Sequence, residues 1–281
     1  RGYTPASIIE FVKKAGVAKA YSIVDYELLE HCIREELNTT AQRRIAIIKP
    51  IKVVITNYPE DKLEYFTLPN NPQNPEMGTR ELPFSRTLYI DADDFAEVPP
   101  PKFFRMKPDG EVRLMGAYIV KCNEIIKDDS GKVVEIHCTA DLESGNGKPI
   151  DGRKVKGTIH FVEANSAVKI KIREYGYLMK ENEETGEQEF DPESLVETWG
   201  YAEPSAANVK PGERFQFFRK GYYIADEKLT TEDVKAFSGF SSISFFIAGT
   251  SNACERINTP PRTIFSGFNR SIITLKPRPS I

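Results

Sequence analysis

Cysteine and long hydrophobic runs are both scarce in this sequence. Four cysteines, Cys32, Cys122, Cys138 and Cys254, are scattered over 281 residues, and none has the CxxC spacing of zinc or redox sites. Free thiols are the expected state. The most apolar run, residues 240–248, is less than half of the roughly 20 residues that a membrane-spanning helix needs. We therefore predict a cytoplasmic protein without a metal site or a membrane segment.

An excess of positive charge is also absent. The net charge of -3 and the isoelectric point of about 5.8 argue against nucleic-acid binding through a diffuse basic surface. A local basic groove on an acidic body is still compatible with these values, because specific readout uses a few placed side chains. With 40% hydrophobic and 28% charged residues, the composition is typical of a globular protein.

Catalytic signatures are missing as well. The three histidines, His31, His137 and His160, have no neighbouring nucleophile and no metal-ligand spacing. The sequence has no glycine-rich phosphate-binding loop, dinucleotide fingerprint or nucleophile elbow. It also lacks an initiator methionine and a signal peptide, so we expect it to be part of a longer protein. Any catalysis by that protein is expected outside these residues, and no cofactor is expected within them.

Two helices are predicted at the start. Thr4 followed by Pro5 is typical of a helix cap, apolar residues follow at helical spacing, and Gly16 ends the run. A second helix is predicted from about Asp25 to just before Asn38, with apolar residues along one face. We therefore expect a short α-helical subdomain.

From Ile45 onward the pattern predicts strands. Apolar and polar residues alternate with a period of two, and β-branched residues dominate. Many short strands at close spacing are typical of barrels or sandwiches, so a mainly β fold is predicted. The predicted strands lie at 51–55, 87–90, 111–126, 132–140, 154–162 and 167–178, with a hairpin turn at 127–131.

Three segments interrupt this pattern. The triple proline at 99–101 cannot continue a sheet, and we interpret it as a rigid crossover between two barrels. The acidic stretch 180–189 is predicted to be a solvated loop or hairpin tip. The apolar residues of 238–281, a segment with Glu255 as its only acidic residue, follow no sustained period, so this segment is predicted to be poorly packed if it is out of register with the fold.

Arginines and amides near aromatic residues are the candidates for binding. Arg105 follows two phenylalanines, Arg113 lies in a predicted strand, and Gln216 and Arg219 lie within the run FQFFR. Single-stranded RNA is bound by stacking planes for splayed bases and by fork donors or amides for base edges. From composition alone, solvated or salt-bridged arginines are the more frequent outcome.

Several long motifs, in a fixed order, connect the chain to a known family. They are RGYTP at 1–5, CIREELN at 32–38, NPEMGTR at 74–80, EVRL at 111–114, DGRKVKG at 151–157, DPESLV at 191–196 and AEPS at 202–205. With these motifs, residues 1 to about 236 resemble the C-terminal half of bacterial-type glutaminyl-tRNA synthetase, a class I enzyme. Chance agreement of so many segments is negligible.

The resemblance implies two antiparallel β-barrels after the end of a helical connecting subdomain. The implied bounds are 1–43 for the helical part, 44–100 and 174–281 for a proximal anticodon-binding barrel, 101–173 for a distal barrel, and 238–281 for an atypical tail. The resemblance also implies a parent glutamine–tRNA ligase, whose catalytic domain uses ATP and Mg²⁺. The present residues are then expected to be inactive alone, to bind glutamine tRNA, to contact that domain in cis and to be monomeric.

The same resemblance implies roles for single residues. Arg43, Gln216 and Arg219 match the family's contacts to the central anticodon base. Arg113 matches the contact to the first base, and Arg105 matches the contact to the third. These five side chains are therefore the predicted base-reading residues.

Other positions match the family less closely. Asn38 aligns with a residue that lines the same loop-binding surface. Phe104 stands where a lysine is usual, Met115 replaces an arginine, and Gln73 occupies a position often held by asparagine. Losing two cations should weaken phosphate contacts more than base identity. After residue 234, about thirty unrelated residues precede an imperfect echo of the family's last strand at 268–271, which indicates an insertion or an out-of-frame end.

Three other functions stay open on the sequence. The archaeal and eukaryotic type of glutamyl-tRNA synthetase shares the barrels, although the segments at 77–80 and 151–157 favour the glutaminyl branch. A stand-alone barrel-type RNA-binding protein is disfavoured by the opening helices. A structural remnant that no longer binds RNA is compatible with the two lost cations and the unusual tail.

Overall fold

Two helices open the chain. The computed structural model describes residues 2–16, 22–182, 185–240 and 272–275. Its helices are α1 (Pro5–Ala15) and α2 (Tyr26–Thr40). Thr4 caps α1 by accepting a hydrogen bond from the Ser7 amide at 3.0 Å, and Gly16 at φ 74° ends it, as predicted. Within the described ranges, neither helix is long and apolar enough to cross a membrane.

The second helix ends later than predicted. It is capped by Asp25 and continues through Asn38 to Thr40, so the predicted end before Asn38 is wrong. Asparagine lowers helix propensity only modestly, and the buried face that includes Ile33 and Leu37 stabilises the last turn by tertiary packing. Asn38 is therefore held on a helix rather than in a loop.

Most of the remaining described chain is β-strand. The strands are β1 (Ser22–Asp25), β2 (Gln42–Arg44), β3 (Ala46–Ile47), β4 (Pro50–Ile55), β5 (Glu64–Pro69), β6 (Thr79–Phe84), β7 (Thr87–Asp91), β8 (Glu111–Leu114), β9 (Ile119–Lys127), β10 (Val133–Asp141), β11 (Thr158–Ile159), β12 (Val162–Glu163), β13 (Val168–Tyr175), β14 (Met179–Glu181), β15 (Gln188–Phe190), β16 (Leu195–Ala202), β17 (Arg214–Phe217), β18 (Gly221–Ala225), β19 (Lys235–Phe240) and β20 (Ile272–Leu275). Short 3₁₀ turns lie at Pro75–Met77, Ala92–Asp94, Gly145–Gly147 and Pro204–Asn208. The predicted mainly β class is confirmed.

The first barrel is a seven-stranded sheet in the order β11-β8-β9-β10-β4-β7-β12. Its edge strands β11 and β12 are separated in sequence only by His160 and Phe161, so the two edges of the sheet must lie close together. Inside it, Tyr58, Phe84 and Tyr118 pack edge-on, with ring centroids 5.1 to 6.5 Å apart. The sheet is thus rolled around an aromatic core.

The second barrel is a seven-stranded sheet in the order β2-β17-β18-β19-β13-β16-β3. Its edges β2 and β3 are separated in sequence only by Ile45, which closes the sheet in the same way. Phe215, Phe217 and Phe237 fill its core. Most strand pairs are antiparallel, as predicted, but β4 with β10, β8 with β11, β13 with β19 and β2 with β17 are parallel.

The sheets divide the chain at other points than the predicted bounds. Strands β4 and β7, inside the segment 44–100, pair with β10 and β12 of the first barrel, whereas β13 pairs within the second barrel. The triple proline lies between β7 and β8, which belong to one sheet, so it is not a crossover between barrels. Alternation identifies a strand, but its partners depend on contacts distant in sequence.

Several predicted strands also differ in detail. The predicted strand 111–126 is two strands, β8 and β9, because the chain turns at Gly116 with φ 75°. The predicted strand 154–162 contains only β11 and the first residue of β12. Within the acidic stretch 180–189, the described residues 180–182 and 185–189 belong to the hairpin of β14 and β15. In the predicted turn at 127–131, the Gly131 amide donates a hydrogen bond to the Asp128 carbonyl at 2.9 Å.

The tail is described only in part. β19 runs across the predicted boundary at residue 238 and pairs with β13 and β18, so the second barrel extends to residue 240. β20 pairs with β1. The prediction of poor packing for the remaining residues, 241–271 and 276–281, lies outside the described residues.

A buried carboxylate fixes the closure of the second barrel. Glu203, with a side chain 2% exposed, binds both Arg80 Nε at 2.5 Å and Arg80 Nη2 at 3.1 Å. It also accepts hydrogen bonds from the Ile45 amide at 3.1 Å and the Ser205 hydroxyl, and lies 3.5 Å from Arg44 Nε. Burial lowers the pKa of Arg44 to about 10, although Glu203 opposes this shift. The carboxylate thus compensates two buried guanidinium groups at the point where the sheet closes.

Replacing Glu203 should destabilise the fold strongly. Glu203→Gln keeps the side-chain volume but removes the carboxylate that pairs with both Arg44 and Arg80, two buried guanidinium groups, at an expected cost of about 3–5 kcal/mol. The control is Glu60→Gln, which removes the ion pair between Arg86 and Glu60, a residue whose side chain is 75% exposed. This substitution should lower the free energy of unfolding by less than about 1 kcal/mol. Urea unfolding curves measure both, and equal shifts of the midpoint would contradict the assigned role.

Candidate nucleic-acid interface

Four polar residues, Asn38, Arg43, Gln216 and Tyr222, lie together on one face of the second barrel. Gln216 on β17 is in register with Arg43 on β2 and with Tyr222 on β18, so the three side chains lie in a row on one face of the sheet. The Tyr222 hydroxyl donates a hydrogen bond to the side-chain oxygen of Asn38 on α2. The helix and three strands therefore place Asn38, Arg43 and Gln216 together.

Two atoms of this row have no partner within the protein. Arg43 Nε and Gln216 Oε1 are both buried, and neither forms a hydrogen bond with any described residue. Gln216 is only 7% exposed. Because a buried donor or acceptor without a partner costs about 1–3 kcal/mol, such atoms are uncommon unless something else binds them. Together they offer one donor and one acceptor, which is the complement that the edge of a base requires.

A second group lies where the two barrels meet. The carboxylate of Asp94, 7% exposed, is 2.8 Å from Arg219 Nη1 and 3.4 Å from Arg105 Nη1. Arg105 Nη1 also donates to the Asp93 carbonyl at 2.6 Å. Burial raises the pKa of Asp94, an effect that Arg219 and Arg105 oppose. Two predicted base-reading arginines are therefore held on a single buried carboxylate.

The turn that carries Arg219 is docked on the first barrel by two further contacts. Lys220 Nζ is 2.8 Å from Asp91, and the Phe218 ring stacks on the His160 ring with centroids 5.1 Å apart. Burial, together with the neighbouring Arg219 and Lys220, lowers the pKa of His160 to about 3. The imidazole is therefore neutral near pH 7 and serves as a flat packing surface.

Arg113 forms a third group. It lies on β8, and its Nε donates to the Gly147 carbonyl at 2.6 Å. The contact is close: a Cβ on Gly147, whose φ is 68°, would lie 2.3 Å from Arg113 Cδ. The turn thus holds the guanidinium through Nε and leaves Nη1 and Nη2 without a hydrogen bond to any described residue, so both remain as a pair of donors in fork geometry.

Left-handed backbone lies near three of the predicted base readers, Arg105, Arg113 and Arg219. The non-glycine residues with positive φ in the described ranges are Lys102, Asp109, Asn146 and Arg219, at 56° to 65°. Lys102 precedes Arg105 and Asp109 precedes Arg113 by a few residues, whereas Asn146 adjoins Gly147. Such conformations cost of order 1–3 kcal/mol each and are enriched at binding sites.

Phe104 and Met115, where the sequence resemblance implies that two cations are lost, differ in their surroundings. Phe104 is 50% exposed, and Lys156 Nζ lies 5.4 Å from the centre of its ring. Lys156 therefore brings a cation next to the position where the resemblance led us to expect a lysine. Met115 instead packs against the core of the first barrel, so no cation replaces the lost arginine there.

The predicted residues thus form separate groups. Arg43, Gln216 and Asn38 meet through Tyr222, and Arg105 and Arg219 meet at Asp94, whereas no hydrogen bond or ion pair between described side chains joins Arg113 to either group. Tyr222 and Asp94 were not predicted. No local spacing identifies them, because the partners of each lie on elements distant in sequence.

Comparison with known proteins identifies the family. Residues 41–141 and residues 158–226 each match a family model described as tRNA synthetases class I (E and Q), anti-codon binding domain. The first match spans most of the first barrel with β2 and β3, and the second spans much of the returning part of the second barrel. Both barrels are thus covered.

Curated relatives give the same result. Proteins named glutamine–tRNA ligase are 48% identical in Clostridium perfringens over 86% of this chain, 50% in Stutzerimonas stutzeri over 81%, and 47% in Bradyrhizobium diazoefficiens over 82%. The chain spans 45%, 42% and 42% of these relatives, which is less than half of their length. The matched domains and these relatives together establish that the chain belongs to the anticodon-binding part of the class I tRNA synthetases for E and Q.

Proposed function

We propose that this chain reads the anticodon loop of a glutamine tRNA as part of a glutamine–tRNA ligase. The observation that carries the proposal is the pair of buried atoms without protein partners, Arg43 Nε and Gln216 Oε1, side by side on neighbouring strands. A base that offers an acceptor and a donor satisfies both atoms. A base with the wrong edge leaves at least one of them unpaired.

Separate groups of predicted readers suit an anticodon whose bases are splayed apart, and the group at Asp94 holds one arginine for the third base, Arg105, beside one for the adjacent central base, Arg219. Unstacked bases need individual stacking planes and hydrogen-bonding groups, since each is read on its own edge. In this proposal Arg43, Gln216 and Arg219 read the central base, Arg113 the first and Arg105 the third. Lys156, above the ring of Phe104, supplies charge for the phosphates between them.

The proposal extends to the parent protein. Its remaining part, in cis, would activate glutamine with ATP and Mg²⁺ and join it to the tRNA in the cytoplasm, and the protein would act as a monomer. The names of the relatives support this extension. Because the matched family description covers both E and Q, the tRNA for glutamate is the alternative partner.

The 281 residues alone should not activate glutamine. They contain no sequence pattern for binding ATP, so amino-acid-dependent exchange of pyrophosphate into ATP should stay at the level of a blank without protein. The positive control is a complete glutamine–tRNA ligase. Exchange above the blank that depends on glutamine would show an active site within these residues.

Alanine variants of the five predicted readers should lose base discrimination more than general affinity. The largest loss is expected at the first base for Arg113→Ala, at the third for Arg105→Ala, and at the middle for the Arg43, Gln216 and Arg219 variants. A lost bidentate contact should change the preference by about 1–3 kcal/mol, by analogy with duplex readout. Anticodon stem-loops of glutamine and glutamate tRNA, altered one base at a time, provide the measurement at fixed salt.

The control for these variants is Arg86→Ala. Arg86 pairs with the exposed Glu60, away from the three groups, and its loss should leave every preference unchanged. If the five variants weakened all stem-loops equally, the arginines would be phosphate contacts, because phosphate contacts carry no sequence information.

The placement of Arg113 can be tested without changing Arg113 itself. In Gly147→Ala the new Cβ would lie 2.3 Å from Arg113 Cδ, so the flexible side chain must move and preference at the first base should relax. Gly152→Ala is the matched control, because Gly152 has a similar φ of 71° but open space around it. Both variants carry backbone strain of about 1 kcal/mol. Equal binding preferences for the two variants would contradict the role of Gly147.

A further inference from the structure

One carboxylate oxygen of Asp94 contacts two arginine side chains from different barrels, Arg105 and Arg219, which we call the two arms. Arg219 extends from the turn between β17 and β18 of the second barrel, and Arg105 lies in the segment before β8 of the first. Both direct Nη1 at Asp94 Oδ1, at 2.8 Å and 3.4 Å. The oxygen is thus a shared point of contact across the junction.

Asp94 itself is held firmly. The Met106 amide donates to the Asp94 carbonyl at 3.0 Å, and the Ala96 amide donates to the Met106 carbonyl at 3.1 Å. At the other end of the same turn, Asp91 accepts from the Asp93 amide at 3.1 Å and from the Ile48 amide at 3.1 Å. The carboxylate therefore lies at a fixed place relative to both barrels.

Docking of the two barrels does not depend on Asp94 alone. Lys220 pairs with Asp91 at 2.8 Å, and Phe218 stacks on His160. The junction thus has its own ionic and aromatic contacts, and the contacts of Asp94 to the arginines are additional to them.

The donors that remain on the two arginines are free to bind a ligand. Nε and Nη2 of Arg105 and of Arg219 have no hydrogen-bond or ion-pair partner among the described residues. Arg219 also holds a left-handed backbone at φ 61°, which a non-glycine residue keeps only when its surroundings impose it. Each arm is therefore anchored at one nitrogen while its other nitrogens stay available.

We propose that Asp94 is a positioning residue that couples the reading of two anticodon bases, by holding Arg105 and Arg219 on one oxygen. The inference rests on the proposed function. A guanidinium reads a base through a planar fork whose angle matters, so the shared anchor sets both forks at once. Because both guanidinium groups share this one oxygen, the loss of one arginine changes the charge and the ion pairing that the oxygen offers to the other.

The first test is Asp94→Asn, which keeps the shape of the side chain and removes its charge. Preference for the correct base should fall about 5- to 10-fold at both the third and the middle positions, the lower end of the range for a lost bidentate contact. Preference at the first base, read by Arg113, should not change. A purely structural role would instead weaken binding of all stem-loops alike.

The matched control is Asp93→Asn. Asp93 adjoins Asp94, but its side chain is 54% exposed and pairs with Lys49 and Lys220 at 3.5 Å. Only its backbone carbonyl binds Arg105, and the substitution preserves that carbonyl. Asp93→Asn should therefore keep all three preferences, and a loss equal to that of Asp94→Asn would overturn the proposal.

A double-mutant cycle tests the coupling with Asp94 intact, in case the Asn variant does not fold. If the two arms share an anchor, Arg219→Ala should change preference at the third base as well, and the effects of Arg105→Ala and Arg219→Ala should not add. In the Asp94→Asn background the same two effects should become additive. Additive effects with Asp94 intact would overturn the coupling.

These outcomes separate the two proposals. If Arg105→Ala and Arg219→Ala alter no base preference, the proposed base-reading function fails. If both alter preference at their own positions while Asp94→Asn changes neither, base reading stands and the coupling is wrong. Thermal unfolding of each variant shows whether a change in binding accompanies loss of the fold.

Discussion

The carboxylate of Glu203 joins parts of the chain that are distant in sequence. It binds Arg80 of β6 through two nitrogens and the backbone amide of Ile45, where the second barrel closes. Isolated, each of these charges would be too costly to bury, and together they compensate one another. Because Ile45 separates β2 from β3, the same carboxylate fixes the strand that presents Arg43 to the site.

The site follows from this closure. β2 lies beside β17 only because the sheet is rolled, and that pairing brings Arg43 next to Gln216. The turn after β17 then reaches the first barrel, where Asp91 and Asp94 receive Lys220 and Arg219. Arg219 and Lys220 thus lie together at the junction of the barrels, each paired with a buried aspartate. A protein with a net negative charge can in this way still have a local group of cationic side chains.

The sequence predicted local elements better than their partners. The capping residue Thr4 and the terminal Gly16 defined α1 because caps act within one turn of helix. By contrast, the strands within 44–100 were assigned to the wrong barrel, since pairing of β4 with β10 depends on residues far along the chain. The triple proline was misinterpreted for the same reason: proline stops a strand but does not determine which sheet follows.

The candidate site shows the same limit. Composition alone could not separate Arg105 and Arg113 from ordinary surface arginines, and their assignment came from the family resemblance. Asp94 and Tyr222 were missed, because a carboxylate after a strand and a tyrosine within one are common. Only their buried contacts across the fold distinguish them from other residues of the same type.

The nesting of the barrels has a consequence for how the protein is made. Residues 48–167, which contain the whole first barrel, lie between β3 and β13 of the second. During synthesis from the N-terminus, β2 and β3 leave the ribosome long before the strands that complete their sheet, whereas the first barrel is already contiguous. Pairings of such large sequence separation form slowly. Arg43 therefore cannot become a neighbour of Gln216 until β17 has been synthesised, well after the last strand of the first barrel, so a chain stalled before β17 contains every strand of the first barrel but not the central row of the site.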